Sequence, residues 1–131
     1  MPKSIYSYDY SRAYQPAMPV VDIEITLPGQ SQAKRIVTAL VDSGSDASMI
    51  PLTILIELKA RYVGQGRVQT VLGDSQLVNL YLINLHVGGH LLQAVQVIGA
   101  SNIDEVILGR DVLNQLTVTL NGLANITEIN T

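Results

Sequence analysis

Apolar runs with strand-like alternation, separated by turn residues, recur along most of the chain. VVDIEITL and KRIVTALVD flank Pro28-Gly29, and LVNLYLINLHV and LLQAVQVI flank Gly88-Gly89. A period of two with Gly or Pro between the runs is typical of β-hairpins. PLTILIELKARYV and RDVLNQL are compatible with short helices. The sequence therefore predicts an all-β fold, mainly strands with one or two short helices.

Composition limits what such a fold can do. A chain of 131 residues fits one domain, and 47% apolar residues suffice for a core. The 8 Lys and Arg against 11 Asp and Glu form no basic stripe, so nucleic acid is not expected as a partner. The sequence has neither a secretory apolar region near its start nor a membrane-length apolar stretch. We expect no membrane partner and a cytoplasmic location.

The first 18 residues differ from the rest. Four of the six tyrosines lie here among Ser, Asp and Pro, without a helical period. We therefore divide the chain into an N-terminal tyrosine-rich arm, residues 1–18, and one domain, residues 19–131. The arm is either a partly ordered tail, which we prefer, or a strand that docks on a partner subunit.

Asp42 ends an apolar strand and is followed at once by Ser43 and Gly44. A buried strand end is a costly place for an ionised carboxylate unless hydrogen bonds or a function hold it there. Gly44 permits a tight loop whose backbone N–H groups point at the carboxylate. An ordinary Asx turn after a strand is the alternative, because Asp-Ser-Gly often forms one.

A second motif follows about 65 residues later, where Ile107, Leu108 and Gly109 precede Arg110 and Asp111. Together with the Asp-Ser-Gly loop, it resembles the retropepsin family of aspartic proteases over roughly residues 19–120. The resemblance implies a closed β-barrel with one lobe per chain. It also implies that Asp42, Ser43 and Gly44 form the catalytic loop. Ile107, Leu108, Gly109 and Arg110 would then support this loop, ahead of a helix at Asp111–Leu116.

Peptide hydrolysis of this kind needs two carboxylates that share one proton. Only one Asp-Ser-Gly occurs in the chain, so the second carboxylate is expected to be Asp42 of an identical subunit. The expected function is a homodimeric aspartic endopeptidase that acts on peptide or protein substrates, without cofactor or metal. Close carboxylates titrate as a pair, so activity should fall at high pH.

The resemblance also assigns roles beside the catalytic aspartate. Ser43 would bridge the two loops across the dimer axis, and Ser45 and Asp46 would contribute to substrate binding. We expect the Ser45 hydroxyl to donate to the Asp42 carboxylate. We also expect a partly buried Asp46–Arg110 ion pair, although both could be ordinary surface charges.

The hairpin that contains Val71, Leu72, Gly73 and Asp74 takes the position of the family's flap, which closes over substrate. These four residues complete the predicted substrate-binding set. Gly64-Gln65-Gly66, just before this hairpin, is interpreted as a connector that breaks the preceding run. The segment after TVTL is interpreted as a polar tail.

Two other functions remain open from sequence. The first is a retropepsin-like peptide-binding or dimerisation module that is catalytically silent. The second is a small β-barrel that binds an apolar ligand. His86 and His90 are four residues apart, but a Gly-Gly turn separates them, so we predict no metal site.

Overall fold

Strands and two short helices account for most of the part of the chain that the computed structural model describes, residues 4–69 and 72–131. The strands are β1 Ile5–Asp9, β2 Val20–Leu27, β3 Gln30–Val41, β4 Met49–Pro51, β5 Arg61–Gln69, β6 Ser75–Val87, β7 His90–Ala100, β8 Val106–Leu108, β9 Thr117–Asn121 and β10 Ile126–Asn130. The helices are α1 Leu52–Leu58 and α2 Arg110–Leu113.

A closed barrel forms the main body. Its strands follow the order β2, β3, β8, β4, β7 and β6, and β6 pairs with β2 to complete the ring. Alternate residues such as Ile23, Ile25 and Leu85 point inward and are at most 2% exposed. Burial of these side chains stabilises the barrel through the hydrophobic effect. The predicted all-β closed barrel is confirmed.

Both helices lie where helix-compatible segments were predicted. α1 follows Pro51, whose fixed φ suits a helix start, and ends at Lys59 in the left-handed conformation. Leu55 of α1 is fully buried against the barrel. α2 is a single turn, Arg110–Leu113, which is shorter than the predicted helix at Asp111–Leu116.

The Gly64–Gly66 segment is not a connector, and that prediction was wrong. It lies inside β5, which pairs with β6 from Arg61 to Gln69. A register irregularity between Tyr62 and Gly64 interrupts the ladder, and Gly64 has a φ of +132°, which a residue with a side chain rarely adopts. The two glycines therefore lie within a long strand rather than end it, and Gly64 accommodates the irregularity.

A separate three-stranded sheet, in the order β1-β10-β9, packs beside the barrel. β1 pairs antiparallel with β10, from Ile5↔Asn130 to Asp9↔Ile126. The interpretation of residues 5–9 as a partly ordered tail was wrong, since they form a strand that docks on the same chain. The polar tail expected after β9 is also wrong, because β10 is the central strand of this sheet. The boundary at residue 18 stays a prediction.

The barrel side of this sheet contains a buried hydroxyl. Thr127, on β10, is 0% exposed, and its Oγ1 has no hydrogen-bond partner among the residues that the structure describes. Burying a hydroxyl without a partner destabilises the folded state.

We expect Thr127→Val to raise the free energy of unfolding by about 1 kcal/mol, because valine has the same shape and no unpaired hydroxyl. Chemical denaturation of both proteins measures the change. Thr117→Val, at an exposed position of the same sheet, is the control and should alter stability by less than about 0.5 kcal/mol. A lower stability for Thr127→Val would show that the hydroxyl has a partner.

No helix of the described residues is long and apolar enough to cross a membrane.

Candidate active site

The Asp42 loop leaves the barrel beside β8. β3 and β8 are parallel neighbours with the register Ala39↔Val106 to Val41↔Leu108. The Asp42 N–H donates to the Leu108 carbonyl oxygen at 3.0 Å, which continues this pairing into the loop. The structure therefore brings together the two sequence motifs, although they are far apart in the chain.

One backbone N–H of the loop holds the Asp42 carboxylate, and a second holds the Asp42 main chain. The Gly44 N–H donates to Asp42 Oδ1 at 3.0 Å, and the Ser45 N–H donates to the Asp42 carbonyl oxygen at 3.2 Å. A Cβ at position 44 would lie 3.2 Å from Oδ1, so glycine at this position leaves space for the carboxylate. In the single chain the Asp42 side chain is exposed, not buried as the sequence suggested.

The Ser45 hydroxyl does not contact Asp42, so this prediction was wrong. Its Oγ donates to the Ala47 carbonyl oxygen at 2.8 Å and thereby closes the next turn of the loop. The hydroxyl shapes the backbone instead of hydrogen-bonding to the carboxylate. Ser43 lies exposed on the loop, where a partner could reach it, and its role as a bridge stays a prediction.

Arg110 connects α2 to two points of the loop. Its guanidinium pairs with the Asp46 carboxylate and donates from Nη1 to the Ser43 carbonyl oxygen at 2.7 Å. The expected pair is present, but the Asp46 and Arg110 side chains are 68% and 42% exposed, so it is more open than predicted. Exposed ion pairs add little to stability, and the main effect of this pair is to position the loop.

Sequence reasoning missed a second connection, between Ser48 and Asp111. Ser48 is fully buried; its N–H donates to Asp111 Oδ2 at 3.0 Å and its Oγ to Oδ1 at 2.7 Å. The same Oγ accepts from the Gly109 N–H at 3.0 Å. Hydrogen bonds to a charged acceptor are stronger than neutral ones. A polar residue directly before the apolar Met49-Ile50 is the sequence signal that could have identified it.

Gly109 allows the two motifs to touch. A Cβ on this residue would lie 2.8 Å from the backbone C and O of Ala47 and from the Ser45 carbonyl oxygen. The next residue donates its N–H to that same Ser45 oxygen at 2.8 Å. Leu108 is fully buried beneath this contact, and Ile107 is half-buried. Residues 107–110 were predicted to support the Asp42 loop, and the absence of a side chain at Gly109 is what lets the two segments pack this closely.

A cleft of about 510 Å³ runs between the loop and the β5–β6 hairpin. Its walls combine the loop with apolar side chains from both strands of the hairpin and from β4 and β7. The lining residues are Asp42, Gly44, Ser45, Asp46, Ala47, Met49, Val68, Gln69, Gln76, Val78 and Ile98. Among described residues, the cleft thus contains two carboxylates, and Arg110 pairs with one of them.

The predicted flap residues are only partly placed at this cleft. Leu72, Gly73 and Asp74 lie in the turn of the β5–β6 hairpin, beyond the residues that line the cleft, and Leu72 is 87% exposed. Val71 lies outside the described residues. Val68, Gln76 and Val78, on the strands below the turn, face the cleft instead. Sequence reasoning missed them because alternation alone does not say which face of a hairpin covers a site.

A family model described as "gag-polyprotein putative aspartyl protease" matches residues 29–115 of the chain. This span contains both the Asp42 loop and the Gly109 motif. Among curated proteins, no sequence matches.

Solved structures resemble the fold over most of the chain. A retropepsin-like aspartic protease from Rickettsia conorii aligns with a TM-score of 0.64 at 10% identity, over 99% of this chain and 94% of that one. EIAV protease in complex with the inhibitor HBY-793 aligns with a TM-score of 0.58 at 21% identity, over 75% of this chain and 86% of that one. At such identities the likeness shows the fold, and the predicted retropepsin-like architecture is confirmed.

Proposed function

Because the chain belongs to the gag-polyprotein aspartyl protease family, we propose that it is an aspartic endopeptidase whose active site forms from two Asp42 residues, one per subunit. The observation that carries this proposal is the exposed Asp42 carboxylate, held by the Gly44 N–H at the mouth of the cleft. One chain supplies half of a site that needs two carboxylates.

The other cleft carboxylate of the same chain is a poor second member of the pair. Asp46 is bound by Arg110, so its carboxylate is already engaged in the ion pair that positions the loop. The reaction needs a second carboxyl group that is free to hold and release a proton. A second Asp42, brought in by a twofold axis, meets this need and places two equal carboxylates together.

The reaction then proceeds with one shared proton. One carboxylate takes a proton from water while the water oxygen attacks the scissile carbonyl carbon, and the other carboxyl gives its proton to the carbonyl oxygen. The tetrahedral gem-diol then collapses: one of its hydroxyl groups returns a proton to the ionised carboxylate, the C–N bond breaks, and the protonated carboxyl gives its proton to the amine nitrogen. The pair is left with one shared proton. Loss of the shared proton at high pH stops the cycle.

The cleft favours an extended peptide with apolar side chains. Met49, Val68, Val78 and Ile98 supply apolar walls, whereas Gln69 and Gln76 supply amide groups. Burial of apolar substrate side chains against these apolar walls contributes binding free energy. The hairpin above the cleft offers backbone groups that an extended chain can pair with.

We expect the chain to cleave an unstructured protein substrate at acidic pH, with a specific activity that rises with enzyme concentration as dimers form. Turnover should fall toward alkaline pH. Measurements are initial rates over a range of enzyme concentrations and pH values, with the oligomeric state recorded by sedimentation. Activity from a monomer, unchanged on dilution, would contradict the two-subunit site. A dimer without any turnover would favour the silent binding module.

A further inference from the structure

A groove on the outer face of the barrel shares no lining residue with the active-site cleft. It consists of two adjoining cavities of about 320 and 410 Å³, which have Glu24, His86 and Leu91 in common. We call it the outer groove. Glu24 alternates along β2 with Ile23 and Ile25, which are buried in the core. The outer groove is therefore formed by the solvent side of the barrel sheet.

Four residues of the outer groove form one row across four strands. Glu24 of β2 is opposite both Ile36 of β3 and His86 of β6, because β2 closes the barrel. His86 is in turn opposite Leu91 of β7. The two ends of the row are apolar and project into solvent, since Ile36 is 67% and Leu91 is 48% exposed. The row thus has an apolar side chain at each end and a carboxylate beside an imidazole in its middle.

The middle of the row has a negative charge that the described part of the chain does not neutralise. Neither ion pair of the described residues includes Glu24. Asp22 adds a second carboxylate to the groove, and no described Lys or Arg lines either cavity. Lys34, on the same face of β3, is outside both linings. Glu24 is also half-buried, which strengthens its attraction to a cation because less water screens the charge.

Hydrogen bonds within the groove engage polar groups around Glu24 but not Glu24 itself. His86 Nε2 lies 3.1 Å from Thr26 Oγ1, and the Thr38 hydroxyl donates to Asp22 Oδ1 at 3.0 Å. The Glu24 carboxylate has no such partner among residues 4–69 and 72–131. It is therefore the group of the outer groove that a basic ligand can engage without breaking an existing contact.

The spacing of the row matches that of an extended peptide. Neighbouring strands lie about 4.8 Å apart, so Ile36 and Leu91, separated by three such steps, are about 14 Å apart. Every second side chain of an extended chain points the same way, about 7 Å from the last, so residues i and i+4 are also about 14 Å apart. The side chain of residue i+2 then comes between Glu24 and His86.

We propose that the outer groove binds an extended segment of a partner protein with the pattern apolar-x-basic-x-apolar. The two apolar side chains cover Ile36 and Leu91, and the Lys or Arg between them pairs with Glu24. The row is six residues from Asp42 along β3, or about 20 Å. A partner can therefore be held there while the cleft is occupied. This inference goes beyond the proposed function and does not rest on it.

Two peptides of one composition test the pattern. The probe is Thr-Val-Thr-Arg-Thr-Val-Thr with both ends blocked, and the control is Thr-Thr-Val-Arg-Val-Thr-Thr, whose arginine and valines lie on opposite faces of an extended chain. We expect the probe to shift the amide NMR signals of Glu24, Ile36, His86 and Leu91 saturably and to leave those of the Asp42 loop unchanged. The control should bind about tenfold more weakly, because its valines cannot cover the apolar ends of the row.

Two variants test the charge. Glu24→Gln should weaken probe binding about tenfold, because it removes the charge and keeps the shape. Asp104→Asn removes one negative charge at an exposed position outside the groove and should leave the affinity unchanged.

Equal weakening in the two variants, or equal binding of the two peptides, would mean non-specific attraction and overturn the proposal. Shifts confined to the Asp42 loop would place the peptide in the active-site cleft and overturn it as well, as would the absence of any saturable shift. A chain without peptidase activity that still binds the probe in the outer groove would leave this inference standing while the proposed function falls.

Discussion

Asp42→Asn should lower kcat for peptide hydrolysis by about 10⁴-fold, because asparagine cannot exchange the shared proton. The side-chain oxygen of the new asparagine still accepts the Gly44 N–H, so the loop and the dimer should persist. Initial rates at the pH optimum give the loss, and sedimentation gives the oligomeric state. Asp46→Asn, which changes the other cleft carboxylate, is the control and should reduce activity far less.

Mixed dimers of wild-type and Asp42→Asn chains test directly whether each active site needs two subunits. If each active site needs one Asp42 from each subunit, mixing wild-type chain with an equal amount of Asp42→Asn should leave about one quarter of the dimers with two aspartates. Activity per wild-type chain then falls to about half, since half of these chains have a variant partner. Full retention of wild-type activity in the mixture would mean that one chain supplies the whole site.

Gly109→Ala should destabilise the fold by about 3 kcal/mol and reduce activity strongly, because its Cβ would collide with backbone rather than with a movable side chain. The loop and α2 would have to separate, which weakens the Ser48–Gly109 hydrogen bond as well. Chemical denaturation and peptidase rates measure the two effects. The control is Gly122→Ala, where a Cβ meets no atom within 4 Å. Equal stabilities of the two variants would contradict the steric argument.

Most barrel strands could be predicted because their pattern is local. In VVDIEITL, the apolar residues Ile23 and Ile25 face inward, as the alternation indicates, while Asp22 is exposed. The hairpin turns at Pro28-Gly29 and Gly88-Gly89 also follow from residue types at a few adjacent positions. Because each of these signals lies within one element, a single sequence was enough to predict an all-β fold, whereas the closed barrel followed from the resemblance to retropepsins.

The terminal sheet and the Gly64 segment could not be predicted in the same way. Thr127 looks like a surface residue in sequence, yet it is buried in a sheet that β1, from the opposite end of the chain, completes. The two glycines of β5 resemble the end of a strand unless the long β6 opposite them is known. In both cases a distant partner decides the structure.

The position of the candidate catalytic aspartate could be predicted from sequence, but most contacts of the residues around it could not. Asp42, Gly44 and the 107–110 segment stand out by residue type, but the direction of the Ser45 hydroxyl depends on the detailed shape of the turn. Ser48 and Asp111 are 63 positions apart and form a contact that neither sequence motif predicts. Contacts of this kind are visible only once the loop and α2 are placed together.

The pairing of β1 with β10 sets an order of events during synthesis. Ile5–Asp9 is synthesised long before Ile126–Asn130, the segment with which it pairs. Contacts between positions so far apart in a chain form late in folding. The barrel strands and the Asp42 loop are therefore translated before β10 can join β1 to β9. A growing chain thus contains the whole Asp42 loop before it can complete the three-stranded sheet, which forms only after β10 has been synthesised.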